Sequence, residues 1–465
     1  MSRKTMSSNE IDLLRSALDV PHSRRAWLRA CMGGGLAMSS APWLSALAED
    51  AAESPTRKRS CILLWMTGGP SQTDTFDTKP EHANGGEFKS IDTSVSGIQI
   101  GEHLPQIAKQ MEHVSLVRSM KTREGDHSRA TYLMRTGYLP QGPVQYPTMG
   151  SLFSRELGRE QAELPNFVSI NPYRYLSPAA YGPGFLGPQA SPLVVGSGNI
   201  AVAAGDNGDA IARALKVQNL DRPQAVKASD AKSRLSLLED LEREFAANRP
   251  DITVQSHQAA YEQAVRMMNA EGVKAFDLTG EKDKLRDAYG RNLFGQSCLL
   301  ARRLIERGVP FAEVSLHSVQ HNMLLGWDTH QNNFDSVKRL CEVLDPAWAT
   351  LLSDLKQRGL LENTLVVWMG EFGRTPRINR NTGRDHFANA WTTALCGGGI
   401  RGGQIVGKTN ESGMRVEDRP VSVPDLLATV CGALGIDPQK QNMSNIGRPI
   451  RVVDPQANPI KELLL

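Results

Sequence analysis

Two short segments of this 465-residue chain set an acid beside an imidazole, Asp328-Thr329-His330 and Asp385-His386. Carboxylate oxygen and imidazole nitrogen are the donors that zinc, manganese or iron accept. A single Asp/His pair more often caps a turn or shares a hydrogen bond, so neither segment carries a metal site alone. Both pairs together with Glu371 form one if a single edge of the fold collects them. Gly125-Asp126-His127-Ser128-Arg129 opens a helical pattern and puts a hydroxyl and a guanidinium where amide N–H groups and the helix dipole favour an anion. Ser128 reads either as a nucleophile or as a helix cap, and capping is the commoner work of a serine there. His127 has two readings as well. Its ring either joins the site as a ligand or base, or bonds to Asp126 at the helix start. The acids Glu124 and Asp126 favour imidazolium, whereas a helix N-terminus or a metal favours the neutral ring. If His127 belongs to the site, its ring faces the cleft that holds Asp328, His330 and His386. Arg374 either clamps two oxygens of an anion or pairs with Glu371. Gly68-Gly69-Pro70-Ser71 is a turn that lets the backbone come close to something, and it lacks the spacing of a nucleotide-binding loop.

Each of these segments follows an apolar run. Ser60–Met66, Val114–Val117, Pro310–Leu316 and Thr364–Met369 read as buried strands of a parallel sheet. Helical patterns over His127–Thr136, Arg286–Arg307 and Phe334–Gln357 lie beside them. Strands alternating with helices predict an α/β fold, a mostly parallel sheet sandwiched between helices. Ligands of such a sheet bind beyond the carboxyl ends of its strands, which is where the polar segments fall. Between about 170 and 285 the pattern changes to a Gly/Pro-rich stretch, Asn171–Gly198, and then to charged helices such as Lys232–Asn248. That segment reads as an insertion.

The first 48 residues read as a twin-arginine signal peptide, with residues 49–465 as the mature domain. Ser23-Arg24-Arg25-Ala26-Trp27-Leu28-Arg29 precedes an uncharged, small-residue-rich stretch that ends in Ala46-Leu47-Ala48, a small-x-small cleavage pattern. The expected partner in export is the twin-arginine translocase, and the expected location is the periplasm or cell surface. Gly33-Gly34-Gly35 argues against a core helix. The run is short for a membrane span and Pro42 breaks it, and no later segment is long and apolar enough to span. Six of the 53 Lys and Arg and three of the 50 acids leave with the signal, so the remainder carries 47 of each. A neutral chain gives no case for nucleic acid or anionic membrane partners. The five remaining cysteines have no CxxC spacing, and Cys61 and Cys396 lie in apolar runs, so they read as small buried hydrophobes.

Gly68-Gly69-Pro70-Ser71-x-x-Asp74-x-Phe76-Asp77, Gly326-Trp327-Asp328-Thr329-His330, Gly370-Glu371-Phe372-Gly373-Arg374-Thr375-Pro376 and Asp385-His386-Phe387 together resemble domain-of-unknown-function family 1501. The resemblance implies an alkaline phosphatase-like fold and places the chain with the alkaline phosphatase and sulfatase superfamily. It implies a metal-assisted hydrolase of phosphate or sulfate esters, acting on a small anionic ester or a sulfated or phosphorylated glycan. Asp328, His330, Asp385 and His386 would then hold a divalent ion, zinc, manganese or calcium, with His127, Ser128, Glu371 and Arg374 as the catalytic set. Asp74 joins the ligands if it reaches back to the place of the superfamily's first-strand aspartate. The departures are specific. Gly125 stands where a sulfatase carries the cysteine that becomes formylglycine, so that chemistry is closed to this chain. Gly370-Glu371-Phe372-Gly373 replaces Ser-Asp-His-Gly and loses an imidazole. A binding or scaffolding protein that retains the fold without turnover therefore stands as the alternative.

Overall fold

The computed structural model describes residues 59–465 apart from 141, 160, 197–208, 218–219, 221–224, 249–251, 270 and 320–325. The expected signal peptide lies outside the described residues. Eight strands build the main sheet: β1 (Ser60–Met66), β2 (Val114–Met120), β3 (Phe167–Ile170), β4 (Leu193–Val195), β5 (Phe311–Leu316), β6 (Thr364–Met369), β7 (Trp391–Gly397) and β8 (Ile405–Val406). Their spatial order is β8-β2-β7-β6-β1-β5-β3-β4. Only β7 runs against its neighbours, so the sheet is mostly parallel, as the sequence predicts.

Burial on both faces explains why β1 is apolar at nearly every position. Ile62, Leu64 and Met66 enter one core, with Leu300 and Leu304 of α5 (Leu293–Glu306) and Val337 and Leu344 of α6 (Asn333–Gln357). Cys61, Leu63 and Trp65 enter the other, with Leu133 of α1 (His127–Thr136), Phe153 of α2 (Met149–Leu157) and Leu427 of α7 (Val423–Leu434). A fully buried side chain of this size contributes about 1.5–3 kcal/mol. The two cores therefore hold the sheet between its helices.

The four strands expected from apolar runs are all present, with the second extending to Met120. The helix expected over 286–307 is two. Gly290, at a φ of 89°, ends the helix Asp283–Tyr289, and the Asn292 side chain accepts from Gly295 N to start α5. The segment from 170 to 285 adds the edge strand β4 to the main sheet, together with the helices α3 (Ala228–Asn248) and α4 (Ile252–Asn269). Among the described residues the sheet thus ends in a strand of two residues at β8 and one of three at β4. No helix of the described residues is long and apolar enough to cross a membrane. All five cysteines from Cys61 onward are buried and unpaired.

Candidate metal centre

The site assembles at the carboxyl end of the sheet. Gly68 and Gly69 follow β1 with φ of 111° and 80°. A Cβ on Gly68 would lie 2.5 Å from Asp328 N, so the glycine turn is what admits the Asp328 segment to the sheet edge. Trp327 N donates to Thr67 O at 3.3 Å and fixes that segment from the other side. Glu371 sits two residues beyond β6, and Gly373–Arg374 pairs antiparallel with His386–Phe387, placing Arg374 level with His386. His127 is the first residue of α1. Asp126 caps this helix by accepting from Arg129 N at 3.0 Å, so the cap is the aspartate and not Ser128, which is exposed.

Three imidazoles converge on one carboxylate oxygen. Asp328 Oδ1 lies 3.3 Å from His127 Nε2, 3.2 Å from His330 Nε2 and 3.3 Å from His386 Nε2. The other nitrogen of each ring faces an acceptor: His127 Nδ1 meets Glu371 Oε1 at 2.7 Å, His330 Nδ1 meets Asp385 Oδ1 at 2.9 Å, and His386 Nδ1 meets Gly125 O at 2.8 Å. An acceptor beside Nδ1 makes that nitrogen the donor, so in the neutral ring Nε2 presents its lone pair to the centre. Anchoring the far nitrogen of a histidine on a carboxylate or carbonyl is how metal-binding imidazoles are oriented. His127, Asp328 and His386 offer ligand atoms all within 4.8 Å of one another.

The charges fit a cation. Asp328, Glu371 and Asp385 each contact a ring of the cluster, and Arg374, paired with Asp328, is the guanidinium set against them, which leaves three negative charges against one positive when the rings are neutral. His127 Nε2 is buried and makes no hydrogen bond despite its nearness to Asp328. A lone pair aimed at a carboxylate is unfavourable until a proton or a metal ion lies between them. The metal-free protein answers with protons. Burial pulls the His127 ring down, but the nearby Asp328 carboxylate, 3.3 Å from Nε2, and the bond to Glu371 with its charge outweigh it and lift its pKa to about 9. Burial raises Asp328, yet the His127 and His386 bonds and the Arg374 charge hold it far below the usual carboxylate range.

Several expected residues take other places. Arg374 has no exposed surface. Its guanidinium meets Asp328 at 2.5 Å, Gly69 O at 3.1 Å and Gly68 O, so it pairs with Asp328 instead of Glu371 and has no free fork for a ligand. Glu371 is fully buried, its Oε1 accepting from Gly68 N at 2.9 Å as well as from His127. Asp385 touches the cluster through His330, and Asn379 Nδ2 donates to it at 3.1 Å. Asp74 stays out of the cluster. It bonds Arg384 at 2.7 and 2.8 Å and accepts from Asn333 at 2.8 Å, an ion pair with neither partner exposed. Phe372, which no donor count would select, packs at a tilt against His127 and His386 with centroids 4.8 Å away from each. Its one sequence signal is its place beside Glu371.

Among solved structures, the PsFucS1 sulfatase from Pseudoalteromonas sp. is similar at 12% identity, covering 85% of this chain and 72% of that one, with a TM-score of 0.40. The lipoteichoic acid synthase LtaP from Listeria monocytogenes matches at 9% identity over 83% and 75%, with a TM-score of 0.37. Alkaline phosphatase from the Antarctic bacterium TAB5 matches at 13% identity over 77% and 96%, with a TM-score of 0.33. No curated protein matches the sequence. The model of one family, described as "Protein of unknown function (DUF1501)", matches residues 58–464, and the chain belongs to that family.

Proposed function

We propose that this protein is an exported, metal-assisted hydrolase of phosphate or sulfate esters, with His127, Asp328, His330 and His386 holding one divalent ion. The observation that carries the reading is the convergence of three anchored Nε2 atoms on Asp328 Oδ1. A divalent ion there would polarise an ester oxygen and acidify water. The chain's own residues prepare that place. Glu371 and Asp385 fix two rings in the donating tautomer at Nδ1, Gly125 O fixes the third, and Arg374 holds Asp328 in register with them. Phe372 packs against two of the rings and helps to hold their orientation. The first turn of α1 opens beside the cluster, and its dipole favours an anionic group.

A metal-binding protein without turnover is the second reading. The burial of Glu371 and Arg374 favours it, because it keeps both from touching a substrate. Metal analysis of tag-free protein tests what the two readings share: the wild type should carry about one zinc or manganese per chain, and His127→Ala and His386→Ala should lose it. A metal-free wild type, reconstituted without uptake, removes the basis of both. Aryl phosphate, phosphodiester and sulfate substrates, assayed with added zinc, manganese and calcium, then separate them.

A further inference from the structure

Below the metal centre runs a second line of polar side chains. His127, Thr131 and Arg135 follow one another at intervals of four on α1, so they share one face of the helix. The sheet presents its own polar positions on the side of Trp65 and Phe311. These are Thr67 two residues beyond Trp65, Glu313 and Ser315 of β5, Ser169 of β3, and Glu371 two beyond Met369. Strand pairing sets Trp65 level with Ser315 and with Met369, and Ser169 level with Glu313.

Both ends of the line are satisfied. At the upper end Glu371 Oε1 takes His127 Nδ1. At the lower end Arg135 Nη2 meets Glu313 Oε2 at 2.5 Å, Arg135 Nε donates to Ala180 O at 2.7 Å, and Ser169 Oγ donates to Glu313 Oε1 at 2.5 Å. The middle is different. Thr67 Oγ1, Thr131 Oγ1, Ser315 Oγ, Glu371 Oε2 and Arg135 Nη1 are all buried and meet no hydrogen-bond partner in the protein. Each of these residues is at most 1% exposed. Tyr181 packs on the lower end. Its ring lies 3.9 Å from the Arg135 guanidinium carbon, and besides burial, which pushes its hydroxyl up, the charges of Arg135, Glu313 and Glu371 all act on it.

Buried polar atoms left dry are strongly unfavourable, and water that makes two to four bonds is the common remedy. The set here suits a directed string. Arg135 Nη1 only donates, Glu371 Oε2 only accepts, and the three hydroxyls between them do either. We propose that ordered waters fill the seam between α1 and the sheet and link Arg135 to Glu371, which makes Thr131, Thr67 and Ser315 positioning residues for His127. This rests on the reading of His127 as a metal ligand, since a ring held by Glu371 is only as fixed as Glu371 itself.

Thr131→Val tests it, because valine keeps the shape and removes the hydroxyl. In a hydrated seam the change breaks the string: Tm falls, zinc binds about tenfold more weakly, and Thr131→Ser restores both. A Tm that holds or rises overturns the proposal, because a dry seam gains when an orphaned hydroxyl is removed. A lower Tm with unchanged zinc affinity overturns the positioning role. If the wild type takes up no metal, the reading of the centre fails separately. The seam is then decided by the Tm values of the valine and serine variants and by water density between Thr131 and Glu371 in a high-resolution crystal structure.

Discussion

His127 gives the site a pH signature whose sign depends on the metal. In the metal-free protein its pKa of about 9 stands above the ordinary 6.5. A group raised on folding adds its stability in full below pH 6.5 and loses it as the pH climbs through 9. Thermal unfolding of metal-free protein should therefore show this contribution fading from pH 6.5 to 9. The metal-loaded protein should gain over the same window, because the ion binds the unprotonated ring and is displaced by protons at lower pH. Parallel slopes with and without metal would mean that His127 is not a ligand. The acid/imidazole pairs and Glu371 were legible in the sequence because their side chains advertise their chemistry. Partner choice was not. Whether Arg374 meets Glu371 or Asp328, and whether His386 rests on a carboxylate or on Gly125 O, is decided by backbone approach, which residue type does not encode.

At the scale of elements, the turn after β1 governs the centre. Gly68→Ala brings a Cβ against Asp328 N in a backbone conformation that alanine avoids. Strain of about 1–3 kcal/mol should appear as a lower Tm, together with weakened metal binding, since the Asp328 segment is what must move. Asp74 should behave oppositely. Asp74→Asn strips the buried Arg384 of its counter-charge and should cost about 3–5 kcal/mol, yet metal content of the folded variant should stay at the wild-type level. Loss of metal in that variant at temperatures where it remains folded would restore Asp74 to the ligand set. Apolar runs showed β1, β2, β5 and β6 because two covered faces demand continuous hydrophobicity. The strand β7 showed only as the apolar run around Cys396, cut short by Thr392 and Thr393, β3 is a four-residue stretch interrupted by Ser169, and β4 and β8 are too short to make a run. Gly290 and Asn292 carried a legible break that the helical periodicity around them masked.

The whole molecule brings together the proposed ligands from distant parts of the sequence, His127 and His386 lying about 260 residues apart in the chain. Only the folded domain brings them together, so a metal ion held by these residues would bind the native state in preference to the unfolded chain. Stability should rise with free zinc by about 2.7 kcal/mol at a hundred times the dissociation constant, read as a concentration-dependent Tm that His386→Ala abolishes. The outline of the sheet has a consequence of another kind. A sheet that ended in long strands would offer its unpaired amides and carbonyls as a template for any extended chain nearby. Among the described residues the outermost members are Ile405–Val406 and Leu193–Val195, enough for only one or two hydrogen-bonded pairs with an incoming strand. The long apolar strands most prone to such pairing stand inside, each already flanked on both sides, so copies of the native protein have little to recruit one another into fibrils.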